Sequence, residues 1–193
     1  MSKKISIVFH SVCGNSYLMA KEFFNEFQTY NAEVQILRVK DPNYAELAKQ
    51  FTVAGQYKNE MLNIDEADAE KLLDSDIIIM GSPTYFGNVS GAMKAFMDSF
   101  SPYWANSAFW GKKLFAYTSV GTTEGGGDMC LNAINVFGQH MGMVNVPVPS
   151  NLLSIQSFPA YGLVHYSGDY ANLRPSREII LGIKEMTERL MSL

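Results

Sequence analysis

Three short stretches carry the residue types that hold a flat, anionic ligand. The first is Ser11-Val12-Cys13-Gly14-Asn15-Ser16, between an apolar run and a helical one. Hydroxyls, a side-chain amide and a glycine at a helix N-terminus can cradle a phosphate through open backbone N–H groups and the helix dipole. The stretch is neither a Walker A loop nor GxGxxG and contains no Lys, which suits a monophosphate better than a nucleoside triphosphate. The same residues also suit an ordinary helix cap. The second stretch is Gly81–Asn88, in which Pro83 and Gly87 set a turn around Thr84, Tyr85 and Phe86. Two aromatic rings beside backbone donors fit a heteroaromatic ligand, or else cover a sheet edge. The third, Ser119–Gly127, runs through Val120, Gly121, Thr122, Thr123 and Gly125. Its glycines permit close backbone approach to a ring edge, and they equally suit a flexible surface loop.

These stretches need a scaffold, and the chain supplies a regular one. Ile5–Phe9, Val34–Val39, Asp76–Met80, Leu114–Val120 and Val144–Val148 read as strands. Tyr17, Leu18, Phe23, Phe24 and Phe27 recur at helical spacing, and further helical patterns cover Ser90–Phe100, Asp128–Met141 and Ser176–Leu193. Strands alternating with helices predict right-handed βαβ units, a parallel sheet and helices on both faces. The fold expected is α/β and doubly wound, with five parallel strands in the order 2-1-3-4-5. In such a sheet ligands bind beyond the carboxyl ends of the strands, where all three stretches fall. Two longer segments, Asp41–Asp74 and Ser150–Pro175, exceed simple connections. Tyr44–Phe51 and Ala67–Leu73 read as helix within the first. Long ordered insertions are more often functional or interfacial than idle.

Composition removes several alternatives. With 193 residues, 47% hydrophobic and 18% charged, the chain suits one domain spanning 1–193 and needs no disulfide or metal to fold. The balance of 15 Lys+Arg against 19 Asp+Glu argues against nucleic acid as a partner. No apolar run reaches the ~18 residues that span a bilayer, so membrane insertion is not expected. Cys13 and Cys130 are the only cysteines, with no CxxC spacing, which points to a cytoplasmic setting and no disulfide framework.

Taken in order, Ser11–Ser16, GSPTYFGNVSGAMKAFMD (Gly81–Asp98), GKKLFAYTSVGTTEGGG (Gly111–Gly127) and GQHMGMVNVPV (Gly138–Val148) resemble the flavodoxin superfamily. Within it they are most similar to the WrbA-type NAD(P)H:quinone oxidoreductases, over nearly the whole chain. The resemblance implies an FMN cofactor. Ser11, Gly14, Asn15 and Ser16 would hold its phosphate, with Val12 and Cys13 along the loop. Pro83, Thr84, Tyr85, Phe86 and Gly87 would line the isoalloxazine. Ser119, Gly121, Thr122 and Gly125, with Val120 and Thr123 between them, would face its pyrimidine edge. His140 matches a family His beside the flavin, and Trp104 a Trp that roofs the substrate cavity. The family commonly forms tetramers, so a homodimer or homotetramer is implied. This chain carries Cys13, Asn15 and Tyr85 where the family often has Tyr, His and Arg.

The activity implied is transfer of electrons from NAD(P)H through FMN to a quinone or similar flat acceptor. An electron-carrier protein without substrate turnover is the alternative; carriers tend to be more strongly acidic than a net charge of -4. The flavin supplies the chemistry, so no acid or base need be found; His140 is the one candidate to assist at the acceptor. Cys13 at a helix N-terminus could be a low-pKa nucleophile, but no partner His is placed by sequence, and a phosphate cradle accounts for a small residue there.

Overall fold

In the computed structural model, which describes residues 2–193, the chain begins with β1 (Lys3–Phe9), α1 (Asn15–Phe27) and β2 (Ala32–Arg38). The Asp41–Asp74 segment carries two short helices, α2 (Tyr44–Ala48) and α3 (Lys58–Leu62), and a 3-10 turn at Glu70–Leu72. Then come β3 (Ile77–Tyr85), β4 (Asn88–Val89), α4 (Gly91–Asp98), α5 (Ser101–Trp104), β5 (Lys113–Val120) and α6 (Gly127–His140). The last third holds β6 (Val144–Asn145), a 3-10 turn at Ser150–Ser154, β7 (Leu163–Tyr166) and α7 (Arg177–Ser192). Side-chain oxygens of Ser90 and Ser176 cap α4 and α7, as Ser does at helix starts.

The sheet order is β2-β1-β3-β5-β6, all parallel. Alternate residues of the central strands feed two separate cores. Ile5, Ile7, Phe9, Ile77, Ile79, Phe115 and Tyr117 pack under α1 and α7, against Phe23, Phe27, Ile183 and Met186. Val8, Ile78, Met80, Leu114 and Ala116 face the other way, against Phe96, Phe100, Leu131 and Ile134 of the α4–α6 side. A sheet buried on both faces explains why these strands read as unbroken apolar runs.

The expected five-position topology is therefore present, with two corrections. The third strand does not stop at Met80. It runs on to Tyr85, carrying Pro83 and Thr84 in extended backbone beside Ser119, and turns back antiparallel through β4. The fifth position, read as one strand over Val144–Val148, is filled by two pieces. β6 pairs only with Lys113 and Leu114; the chain then leaves the sheet and re-enters as β7 beside Tyr117–Val120. Re-entry is made at Gly162, where a Cβ would run into the Ala116 carbonyl oxygen. Ser150–Pro175 is thus partly sheet. No described helix is long and apolar enough to cross a membrane.

Candidate active site

The loop after β1 is held open at its base. Gly14 takes φ +94°, a left-handed conformation that other residues adopt at a cost, and begins α1 with no side-chain cap. The helical ladder starts at Leu18 N–H to Gly14 O (2.8 Å), so the N–H groups of Asn15, Ser16 and Tyr17 precede it. No acidic residue stands in that first turn. An anion fits here: three converging donors, a helix dipole and nothing negative in the turn to repel it. From below, the loop is fixed by buried contacts. Ser11 Oγ accepts from Gly14 N–H (3.0 Å), Ser16 and Ser119 share a hydrogen bond (3.1 Å), and the Tyr117 hydroxyl donates to Ser16 O (3.0 Å). Tyr117 reaches it by lying across Gly81, where a Cβ would fall inside its ring. At the end of β1, His10 meets Asp41 at 3.0 Å, both side chains buried. That hydrogen bond, against burial, holds the Asp41 carboxyl below the usual carboxylate range.

Beside the loop lies a cleft of about 160 Å³ at the carboxyl ends of the strands. Ser11, Val12, Cys13 and Asn15 form one wall, Pro83, Thr84 and Tyr85 a second, and Ser119 and Gly121 a third. Phe51 from the first insertion, and Ser167, Gly168, Asp169 and Ala171 from the second, complete it. A larger depression of about 320 Å³ sits over the amino-terminal parts of β1 and β2, lined by Lys4, Glu33, Lys71 and Asp74. It is wide and shallow and gathers no loops from strand carboxyl ends, so the smaller cleft is the better ligand site. A phosphate cradle opening on a slot flanked by Tyr85 and a glycine-bearing strand end fits FMN.

Residues 6–157 match the NADPH-dependent FMN reductase family. The chain belongs to that family. It is an oxidoreductase that works with FMN, with NAD(P)H as co-substrate. A protein described as NAD(P)H dehydrogenase (quinone) from Syntrophobacter fumaroxidans is 28% identical over 188 residues, 94% of this chain and 92% of that one. In fold the chain is similar to a WrbA-like flavodoxin from Agrobacterium tumefaciens (TM-score 0.68, 17% identity, 99% and 96% of the two chains). It is also similar to Flavodoxin 2 from Bacillus cereus (TM-score 0.66, 18% identity, 98% of each chain).

Within this FMN reductase fold, nine of the residues singled out from sequence meet in the cleft: Ser11, Val12, Cys13, Asn15, Pro83, Thr84, Tyr85, Ser119 and Gly121. Gly14 and Ser16 are buried behind the loop surface, and Val120 is in the core. Phe86, at φ +53°, stands fully in solvent at the hairpin tip, and Gly87 packs on Gly126. Thr122 and Thr123 are exposed and Gly125 half-buried on the neighbouring loop.

His140 and Trp104 are brought together, but in a different depression, with Trp110 and Gly142. The reason is α6 itself. Its 14 residues run from the glycine-rich loop at the cleft toward the opposite end of the sheet, and at ~1.5 Å per residue they carry His140 about 20 Å along. In this chain neither residue touches the cleft. Phe51, the Ser167–Ala171 wall and Arg174 were not singled out from sequence. The Gly, Asn and Asp crowding of Gly168-Asp169-Tyr170-Ala171-Asn172 was the available signal.

Burial decides the charge states in the cleft. The Cys13 thiol is pushed up to about 11, with the Arg174 charge opposing only in part. It is a neutral thiol at neutral pH, not an activated nucleophile. The Tyr85 phenol is pushed up to about 12 and keeps its proton. In β7, burial drives the His165 imidazole below its usual 6.5, against the hydrogen bond its Nε2–H donates to Leu173 O (2.9 Å). The unfolded chain then takes up a proton near pH 6.5 that the folded chain refuses. The contribution of neutral His165 to stability is whole above that pH and lost as pH falls toward the lower folded value. Thermal midpoints measured from about pH 7.5 to 5.5 should therefore decline less in His165→Gln than in the parent. Parallel declines would contradict this assignment.

Proposed function

We propose that the cleft binds FMN with its phosphate at Ser11–Ser16 and its isoalloxazine among Thr84, Tyr85, Ser119 and Gly121. Electrons then pass from NAD(P)H to a quinone or similar flat acceptor. The observation that carries the reading is the convergence of an uncapped, acid-free helix start and a slot walled by Tyr85 and Gly121 in one cleft. The kinship to a protein named NAD(P)H dehydrogenase (quinone) supports the acceptor class. FMN held there would supply two-electron redox chemistry between the nicotinamide and the acceptor.

The chain's own residues bind and orient. The N–H groups of Asn15, Ser16 and Tyr17 would hold the phosphate; Thr84, tied to Thr118 at 2.8 Å, fixes the second wall. Tyr85, protonated at all working pH values, offers a donor but no base. Cys13, uncharged, adds no repulsion to the phosphate. The open mouth lets nicotinamide and acceptor take the same position in turn. His140 and Trp104 would serve an acceptor only from a neighbouring copy, in the homodimer or homotetramer that the WrbA resemblance implies. The two free cysteines suit the reducing cytoplasm.

Rapid mixing of the FMN-loaded protein with NADPH under anaerobic conditions tests this reading. NADPH should bleach the visible flavin absorbance in a single fast phase, and a benzoquinone should restore it. Bleaching by dithionite but not by NADPH or NADH would instead favour an electron carrier.

A further inference from the structure

Arg174 ties together three segments that are far apart in sequence. Its Nη1 donates to Cys13 O (2.8 Å) and Asn15 Oδ1 (3.1 Å), on either side of Gly14, and more weakly to Ala171 O (3.4 Å). Its Nη2 donates to Gln56 Oε1, and the guanidinium lies over the Tyr57 ring, 5.1 Å from the centroid. Tyr57 in turn covers Gly14, where a Cβ would collide with its ring. Asn15 answers from the other side, donating through Nδ2 to Ala171 O (2.9 Å).

The phosphate loop has no Lys, and no Lys or Arg lines the cleft. Among the described residues, Arg174 is the one cation bonded to residues 11–16. Its charge is close enough to act on the Cys13 thiol. The described bonds account for both Nη1 hydrogens and one on Nη2, leaving a second Nη2 hydrogen and Nε–H. Only a planar guanidinium can bond two loop oxygens and a third segment while stacking on an aromatic ring; an ammonium is a point charge with no such fork.

We propose that Arg174 is the positioning residue of the phosphate loop. It sets the loop's left-handed turn by holding Cys13 O and Asn15 Oδ1, and it supplies the positive charge that makes the cleft prefer a phosphorylated flavin to an unphosphorylated one. The inference rests on the reading that the cleft takes FMN, and it goes beyond that reading by assigning the discrimination between FMN and riboflavin to one side chain outside the loop. Arg174 acts on the phosphate end only, so it should leave binding of the ring system alone.

The test is a fluorescence titration of the protein with FMN and, separately, with riboflavin, at low and high salt. Wild type should bind FMN more tightly than riboflavin, with a salt dependence for FMN alone. Arg174→Met should weaken FMN by about 10- to 100-fold, the range for losing a charge-assisted contact, and leave riboflavin within about 3-fold. Arg174→Lys, which keeps the charge without the fork, should fall between the two and also carries the test should the Met variant not fold. Equal weakening of both flavins in Arg174→Met would assign the residue to general loop stability, and unchanged FMN affinity in either variant would remove its role. A wild type that does not prefer FMN over riboflavin would overturn the reading of the cleft itself, and the role of Arg174 with it.

Discussion

Gly81→Ala is expected to cost about 3 kcal/mol of folding stability, one of the largest effects of any single methyl addition in a packed core. The added Cβ would fall inside the ring of Tyr117, a side chain wholly buried between strand and helix. The ring cannot move aside without releasing its hydroxyl from Ser16 O, which then loses a buried partner. For a chain of this size, urea unfolding should register the loss directly, and the thermal midpoint should fall by roughly 6–12 °C. Flavin affinity should fall as well, because Ser16 is the second residue of α1 and its carbonyl anchors the loop from beneath. A stability change within about 0.5 kcal/mol would mean that Tyr117 is free to repack, and the described coupling of β5 to the loop would be wrong.

Ser11→Asp is expected to abolish FMN retention while leaving the fold intact. Ser11 lines the cleft and its Oγ accepts from Gly14 N–H, a role a carboxylate oxygen can keep. The added negative charge would sit at the phosphate position. With charges roughly 5 Å apart and an effective dielectric near 20, each like-charged pair costs about 3 kcal/mol, or more than about 100-fold in affinity. Ser16 is a poorer choice for this test, since it is 1% exposed and its hydroxyl is spent on Ser119, so Asp there would damage the fold. Equilibrium dialysis with FMN reads the outcome, with riboflavin as the control that should be little affected. Unchanged FMN affinity in Ser11→Asp would put the phosphate elsewhere.

The sheet and its three cleft loops are legible in the sequence because each loop follows an apolar run buried on both faces. The step from Val120 to Gly121 is also a change from core to surface, and on β3 that change comes at Pro83, past the buried Gly81 and Ser82. Periodicity recovered α1 and α7 for the same reason. The split of the fifth position was not legible: Val144–Val148 has the composition of one strand, and only the long-range pairing of Leu163–Tyr166 with Tyr117–Val120 shows that the segment is shared. Pro83 reads as a turn residue, yet it continues β3, because pairing with β1 ends at Gly81 and no ladder donor is needed on that side of the strand two residues later. Phe51, Asp169 and Arg174 sit in irregular backbone without a period to read, and their convergence on the loop is a property of the tertiary fold. His140 shows the limit of a local match: its neighbours fit a motif, but helix length and direction decide which end of the molecule it reaches.

FMN should lie with its phosphate on the N–H groups that open α1 and its ring system against Tyr85 and Gly121. A crystal structure of the protein grown with FMN measures this most directly. Phosphate oxygens should lie within hydrogen-bond distance of the Asn15, Ser16 and Tyr17 N–H groups, and the ring edge beside Ser119 and Gly121. Flavin bound in the depression formed by Trp104, Trp110 and His140, with the α1 cleft left unfilled, would contradict it.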